Sequence, residues 1–500
     1  MKLLKSNVPF YILLILIGLG VRLGIDFLLW RNGYFYGKEY DTFVRAALSW
    51  HWAYGYYIAL DYYWLPLQFW IVGIAYKLII PITKTVELWV PVTVNHLFLA
   101  GSLAITSFVA NHMGGKRTAI IATILSVTTA GDIWATFSAL SEPFTIFFSL
   151  GTSLTALLWV QAWGQSDRQK KQAILLGVWV GLAAITHFMG WFFSIMMIIW
   201  AALYGAFLFF TMRKTGNIFS LKKYFNEISA YLIAVIIAWL PIFYWLFVNW
   251  QHYGDPVHFL SVASSAQLYY AKTKPFLYRA FSPLAVLWQY APILVSLAVI
   301  SVPFVVKKYG KIWIAYILPI SFHFFILAIT GALALSASYQ EPRYLVMYIW
   351  VLLPFTAALC SYLIDSYTRS SRTVGYGLLI FIVVTSLWQA FHYTNSFSAD
   401  VKNMSDFSRQ WFNSHSDSQL VIEDVGAAEE IIIPMTSGYP NGFFHAEKQE
   451  FISICEGDNT NSKIPRNALW ILSADTFQVI EKEAGLIEKI GSYRLVRPCE

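Results

Sequence analysis

EPRYLVMYIWVLLPFTAALC, Glu341 to Cys360, sets an acid, a proline and an arginine at the head of an unbroken apolar run. That run continues to Ile364, and about 20 apolar residues of helix span a bilayer core. Eleven more such stretches precede Asn395: Val8–Trp30, Trp64–Ile80, Leu88–Ala110, Thr118–Leu140, Pro143–Gly164, Ala173–His187, Gly190–Met212, Ile228–Trp250, Leu284–Val306, Ile312–Leu335 and Val374–Tyr393. A charge at the mouth of a span is expensive in lipid, so it is expected to line a cavity or a substrate path. Two further joints share this trait, Glu39-Tyr40-Asp41 and Ser141-Glu142-Pro143. The three joints form a site if they meet on one face.

Composition agrees with the spans. The chain has 500 residues, 57% hydrophobic and only 13% charged, which excludes a soluble globular protein. Its 21 tryptophans and 30 tyrosines suit interfacial belts. The expected fold is an α-helical polytopic membrane protein of about 11–13 spans with a small C-terminal α/β soluble domain. Charge divides the chain accordingly. Residues 395–500 hold 9 of the 35 basic and 16 of the 28 acidic side chains, net −7, whereas residues 1–394 carry +14. The basic excess belongs to loops that flank the membrane and gives no reason to expect nucleic acid as a partner. Residues 1–394 are therefore read as the membrane domain, and 395–500 as a water-exposed accessory domain.

The amino terminus, Met-Lys-Leu-Leu-Lys before Val8–Trp30, reads as an uncleaved signal-anchor that starts in the cytoplasm. Clusters at Arg168–Lys171, Arg213–Lys223, Lys307–Lys311 and Arg369–Arg372 are expected on the cytoplasmic side. The alternate joints then face outward: Ser141-Glu142-Pro143, His187-Phe188, Gln251–Pro283, Glu341–Tyr344 and the tail. Upstream the count has odd parity, so either Trp64–Ile80 or Leu88–Ala110 does not fully cross. From Asp41 onward, Phe43, Val44, Ala47, Leu48 and Trp50 recur at helical spacing, predicting an amphipathic helix flat in the interface with Asp41 at its start. Gln251–Pro283 reads as a lid. Beyond Asn395, Leu420–Val425 and Ala468–Leu472 read as strands, Asp475–Gln478 as a capping box opening a helix, and Ile487–Val496 as a strand or a bent pair.

Each candidate has a plain reading beside its functional one. Among Glu39, Asp41 and Asp61, an acid at the water–lipid boundary suits a general base, while Asp41 equally suits a helix cap. Glu142 and Glu341 precede prolines as helix-start signals do. Arg343 beside them can hold a phosphate through a bidentate fork. His187 is a phosphate donor, a proton carrier, or simply an interfacial residue. Asp26 and Asp132 lie inside apolar runs, where they line a polar cavity or pair within the bundle; pairing suits Asp132 better. Cys360 is a core residue, and Cys455 and Cys499 either pair or stay as separate thiols. No P-loop, HExxH motif or zinc-type Cys/His spacing occurs.

In this order and spacing the joints resemble the GT-C superfamily of membrane glycosyltransferases, of the dolichyl-phosphate-mannose and lipid-A-arabinose transferase type. The resemblance rests on Tyr40-Asp41 followed by Ala46-Ala47 and Trp64-Leu65-Pro66-Leu67, and on Gly114-Gly115-Lys116-Arg117 before Leu140-Ser141-Glu142-Pro143. The late Glu341-Pro342-Arg343-Tyr344 joint and a soluble terminal domain complete it. It implies inverting transfer of a sugar from a polyprenyl-phosphate donor to an acceptor on the outer face. Asp41, or Glu39, then corresponds to the base and Arg343, with His187, to the donor-phosphate site; Glu142, Glu341 and Tyr344 stand near the substrate. No cofactor is certain, although some relatives use a divalent metal held by acids of these loops. Sugar and acceptor stay open. A polysaccharide polymerase or ligase using lipid-linked sugars is the nearest rival. A transporter is a more distant one, having little need of two long loops and a soluble tail.

Overall fold

The computed structural model describes residues 2–32, 40–54, 64–214, 221–259, 274–333, 342–393, 399–415, 419–423, 431–446, 469–480 and 484–498. Glu39, Asp61, Glu341, Cys455, Cys499 and most of the expected lid lie outside them.

Helices run in chain order as α1 (Lys2–Arg31), α2 (Tyr40–Ala53), α3 (Leu67–Thr83), α4 (Trp89–Gly114), α5 (Lys116–Thr128), α6 (Ala130–Phe137), α7 (Glu142–Gln161), α8 (Ser166–Thr186), α9 (Gly190–Lys214) and α10 (Leu221–Tyr253). Then come α11 (Phe276–Tyr290), α12 (Pro292–Tyr309), α13 (Ile314–Ala332), α14 (Pro342–Ile364) and α15 (Arg369–Tyr393). Among the described residues nine helices are long and apolar enough to cross a membrane, and the α5–α6 pair, bent by 56°, counts as a tenth if its two halves form one span. The chain is an integral, multi-pass membrane protein.

Contacts between joints sort the two ends of the bundle. At one end Arg117 pairs with Asp365, and Lys308 lies 3.5 Å from the centre of the Tyr362 ring. Lys170 pairs with Glu227 at 3.2 Å in the basic joints of α8 and α10. The acidic joints lie at the opposite ends of the same helices. α3 belongs wholly to that second end. Gln68 in its first turn bonds Ala139, and Glu87, just past its end, pairs with Arg409 of the C-terminal region. This 17-residue helix is thus the segment that does not cross, and the odd parity disappears. The stretch Leu284–Val306, expected as one span, is broken between α11 and α12 where Pro292 opens the second helix.

Close backbone approach fixes α8 against α10. A Cβ at Gly177 would come within 2.5 Å of the Ala234 carbonyl and one at Gly181 within 2.8 Å of that of Ile237, the small-residue packing of membrane helices. α2 differs from the expected surface helix. Thr42, Phe43, Val44, Arg45, Ala46, Leu48, Ser49 and Trp50 are all buried, because α3 packs on it and Ile431 covers Val44 and Leu48.

Asp26 and Asp132 are both paired, by one arginine. Arg22 Nη1 lies 3.0 Å from Asp132 Oδ2, its Nε lies 3.5 Å from Asp26 Oδ1, and His96 Nε2 stands 2.8 Å from Asp26 Oδ2. This buried group ties α1 and α4 to α6. Removing the arginine strands Asp132 and leaves Asp26 with His96 alone, and breaking a buried pair in this way costs about 3–5 kcal/mol. Arg22→Leu is therefore expected to lower the midpoint of thermal unfolding in detergent sharply. Adding Asp26→Asn and Asp132→Asn should restore much of it; an unchanged Arg22→Leu midpoint would refute the clamp.

The C-terminal region begins with α16 (Ala399–Ser414) and forms one five-stranded sheet. Its strands are β1 (Leu420–Glu423), β2 (Phe443–Ala446), β3 (Leu469–Ser473), β4 (Ala484–Ile490) and β5 (Tyr493–Pro498), in the order β2-β1-β3-β5-β4. β2, β1 and β3 are parallel; β5 and β4 form an antiparallel hairpin, the bent pair of the two options. Gly491, at φ +59, makes its turn. The helix α18 (Ala474–Ile480) starts one step earlier than expected: Ser473 caps it by accepting from Thr476 N at 3.2 Å, and Asp475 sits within its first turn. Between β1 and β2 lies α17 (Ile433–Ser437). The region docks on the α3–α4 joint. Val86 N donates to Gly438 O at 2.9 Å beside the Arg409–Glu87 pair.

Candidate active site

Four joints at the acidic end converge. Asp41 lies in the first turn of α2 and Glu142 opens α7, followed by proline at a position where no N–H is needed. His187 ends α8, and Arg343 and Tyr344 begin α14. Arg343 Nη2 donates to Asp41 Oδ2 at 2.8 Å and lies 3.0 Å from the Tyr344 hydroxyl; Nε stands 3.7 Å from Glu142 Oε1. One guanidinium therefore bridges two carboxylates that are 101 positions apart in the chain. Beside it is a small cavity of about 10 Å³, room for roughly one water-sized group, lined by Glu142, Thr145, His187, Met189, Arg343 and Tyr344 among others. Glu142 is 4% exposed, and its Oε2 has no hydrogen-bond partner among the described residues. A ligand hydroxyl entering the pocket could donate to it.

His187 is held as a neutral donor. Its Nδ1 accepts from Met189 N at 3.2 Å, which leaves the ring proton on Nε2. Met189 O in turn faces His323 Nε2 at 2.8 Å, and His323 Nδ1 faces the Tyr348 hydroxyl at 2.6 Å. Loss of water around His187, with the guanidinium groups of Arg45 and Arg343 nearby, pushes its pKa down to about 3. The folded protein thus leaves this ring uncharged where an unfolded chain would bind a proton. Stability is then lost as pH falls from the ordinary histidine value toward 3, and none is gained above it. A nitrogen-15 histidine NMR titration should show no transition between pH 5 and 8 for the signal that disappears in His187→Gln. A midpoint near 6.5 would contradict the buried neutral form.

No family model and no curated protein matches the sequence. Solved structures do. ArnT from Cupriavidus metallidurans bound to undecaprenyl phosphate superposes with a TM-score of 0.59 at 11% identity, covering 95% of this chain and 97% of that one. The archaeal oligosaccharyltransferase AglB from Archaeoglobus fulgidus, in complex with an inhibitory peptide and a dolichol-phosphate, gives 0.53 at 11% identity over 99% and 74%. Both belong to one superfamily. The chain has the GT-C fold. At this identity the likeness carries the fold and leaves the chemistry to the residues.

Within the GT-C fold the structure adds a residue that sequence reasoning missed. Arg45, one turn beyond Asp41, is buried with its guanidinium 4.9 Å from the Trp64 ring centre, and its Nη1 donates to Gln68 Oε1 at 2.8 Å. It reads as a polar-face residue in sequence; only Trp64 and Gln68, brought over it by α3, make it a second cation near Glu142. Among the described residues no group of three His, Cys, Asp or Glu side chains is placed to hold a metal ion, and Arg343 stands between Asp41 and Glu142.

Proposed function

We propose that the chain is a glycosyltransferase that moves a sugar from a polyprenyl-phosphate donor to an acceptor by direct, inverting displacement. The observation that carries this reading is the Asp41–Arg343–Glu142 contact beside the pocket, assembled from joints at one end of a GT-C bundle. The donor phosphate takes the guanidinium of Arg343 and releases Asp41. The freed carboxylate accepts the proton of the acceptor's O–H or N–H. The acceptor lone pair forms the new bond to the anomeric carbon, and the carbon–oxygen bond to phosphate breaks with its electrons leaving on the lipid phosphate. Arg343 stabilises the charge that develops there. The neutral Nε2–H of His187 adds a donor toward the phosphate, and Glu142 and Tyr344 contact the sugar.

The expected assay uses purified protein with a lipid-linked monosaccharide. Release of free polyprenyl phosphate on addition of acceptor, with no ATP or ion gradient, supports the reading. Absence of release across donor sugars and acceptors argues against it.

We infer that the site end faces away from the cytoplasm, a reading supported by the basic joints at the other end. Residues 395–500 are then an extracytoplasmic accessory domain. Fusions at Asn395 and Glu500 should be active with a reporter that works only after export. Activity of a cytoplasmic reporter at either position would reverse the orientation.

A further inference from the structure

The chain between α6 and α7, just before Glu142, presents three consecutive carbonyls, each taken by a side chain from a different helix. Thr42 Oγ1 of α2 donates to Ser138 O at 2.5 Å, Gln68 Nε2 of α3 donates to Ala139 O at 3.0 Å, and Asn95 Nδ2 of α4 donates to Leu140 O at 3.0 Å. All three side chains are at most 1% exposed. Between them Ala139 holds φ +53, a left-handed conformation that a non-glycine residue adopts only when its surroundings impose it. Two of the three donors are also tied to the helix that bears Asp41. Thr42 follows Asp41 directly, and Gln68 Oε1 accepts from Arg45.

Buried carbonyls need donors, and helix-terminal N–H groups or a bound water could serve. Separate donors from α2, α3 and α4 do something more. They tie the α2 and α3 helices to the chain just before Glu142, which lies 101 positions beyond Asp41. We propose that Thr42, Gln68 and Asn95 are positioning residues that hold the Glu142 joint in register with the Asp41 helix. Its catalytic consequence rests on the transferase reading above; the mechanical link does not. Arg343 keeps its own place at the head of α14, so loosening this register should disturb turnover more than capture of the donor phosphate.

Two variants separate the links. Thr42→Val keeps the shape and loses the donor to Ser138. Gln68→Glu keeps an acceptor for Arg45 and loses the donor to Ala139. Thr42→Ser, which retains the hydroxyl, is the control. Hydrogen exchange of a peptide covering 138–145, in lipid nanodiscs, reports the joint without reference to activity. Faster exchange there in both variants but not in Thr42→Ser is expected. A misplacement of about 1 Å costs on the order of 10²-fold in rate, so kcat should fall roughly 10- to 100-fold while donor KM stays within about threefold. Wild-type exchange with wild-type kcat would overturn the proposal. So would a lowered melting temperature with kcat per folded molecule intact, the mark of a purely structural role. If the wild-type protein turns over no lipid-linked sugar, the transferase reading fails by itself and exchange alone decides the link: faster supports it, unchanged refutes it.

Discussion

Asp41→Asn is expected to lower sugar transfer by about 10²–10⁴-fold while the protein stays folded in the membrane, the usual cost of losing a general base. The carboxylate sits 2.8 Å from Arg343 Nη2, and the amide carbonyl of asparagine can accept that same bond. Geometry therefore survives the substitution, and basicity does not. The asparagine variant should still bind donor lipid, which separates it from a misfolded protein. Glu39 is the proper control because it lies on the same joint. Near-normal turnover in Asp41→Asn together with loss in Glu39→Gln would move the role two residues upstream. Full activity in both would remove the first loop from the chemistry.

Arg343→Ala should cost on the order of 10²–10³-fold in turnover at saturating acceptor, the scale for removing one donor from a developing anion. Donor affinity should weaken with it. Arg343→Lys keeps the charge but loses the planar fork, so it should fall between wild type and alanine. The substitution also leaves Asp41 and Glu142 without the cation that now separates them, so a thermal melt must accompany the kinetics. Equal donor affinity and turnover in wild type and Arg343→Ala would leave Arg343 as a helix-end anchor.

The membrane fold was legible because spans announce themselves by length and composition, and the site joints because charges at span mouths are rare. The α2 helix was legible too, from Phe43, Val44, Ala47, Leu48 and Trp50 on one face. What escaped was whatever depends on the far side of a contact. α3 has the composition of a span, and only Gln68 at one end and Glu87 at the other reveal that it returns to its own side. Arg45 and the carbonyl donors Thr42, Gln68 and Asn95 carry no local signature; their partners lie 23 to 96 positions away. Strand β2, four residues of Phe-Phe-His-Ala, is too short to show alternation. The Asp26 and Asp132 pairing needed Arg22, whose i,i+4 spacing to Asp26 was the one available hint.

The docking of the C-terminal region on the α3–α4 joint also sets an order of events during synthesis. Glu87 is made 322 residues before Arg409, its partner. At roughly 5–20 residues per second that interval lasts about 15–65 s. Through it Val44, Leu48 and Phe69 have no Ile431 over them, and the Val86 amide has no Gly438 carbonyl to meet. The helix that bears Asp41 is thus covered only by residues translated long after it. A nascent chain released before Ala399 keeps that helix uncovered for its whole lifetime.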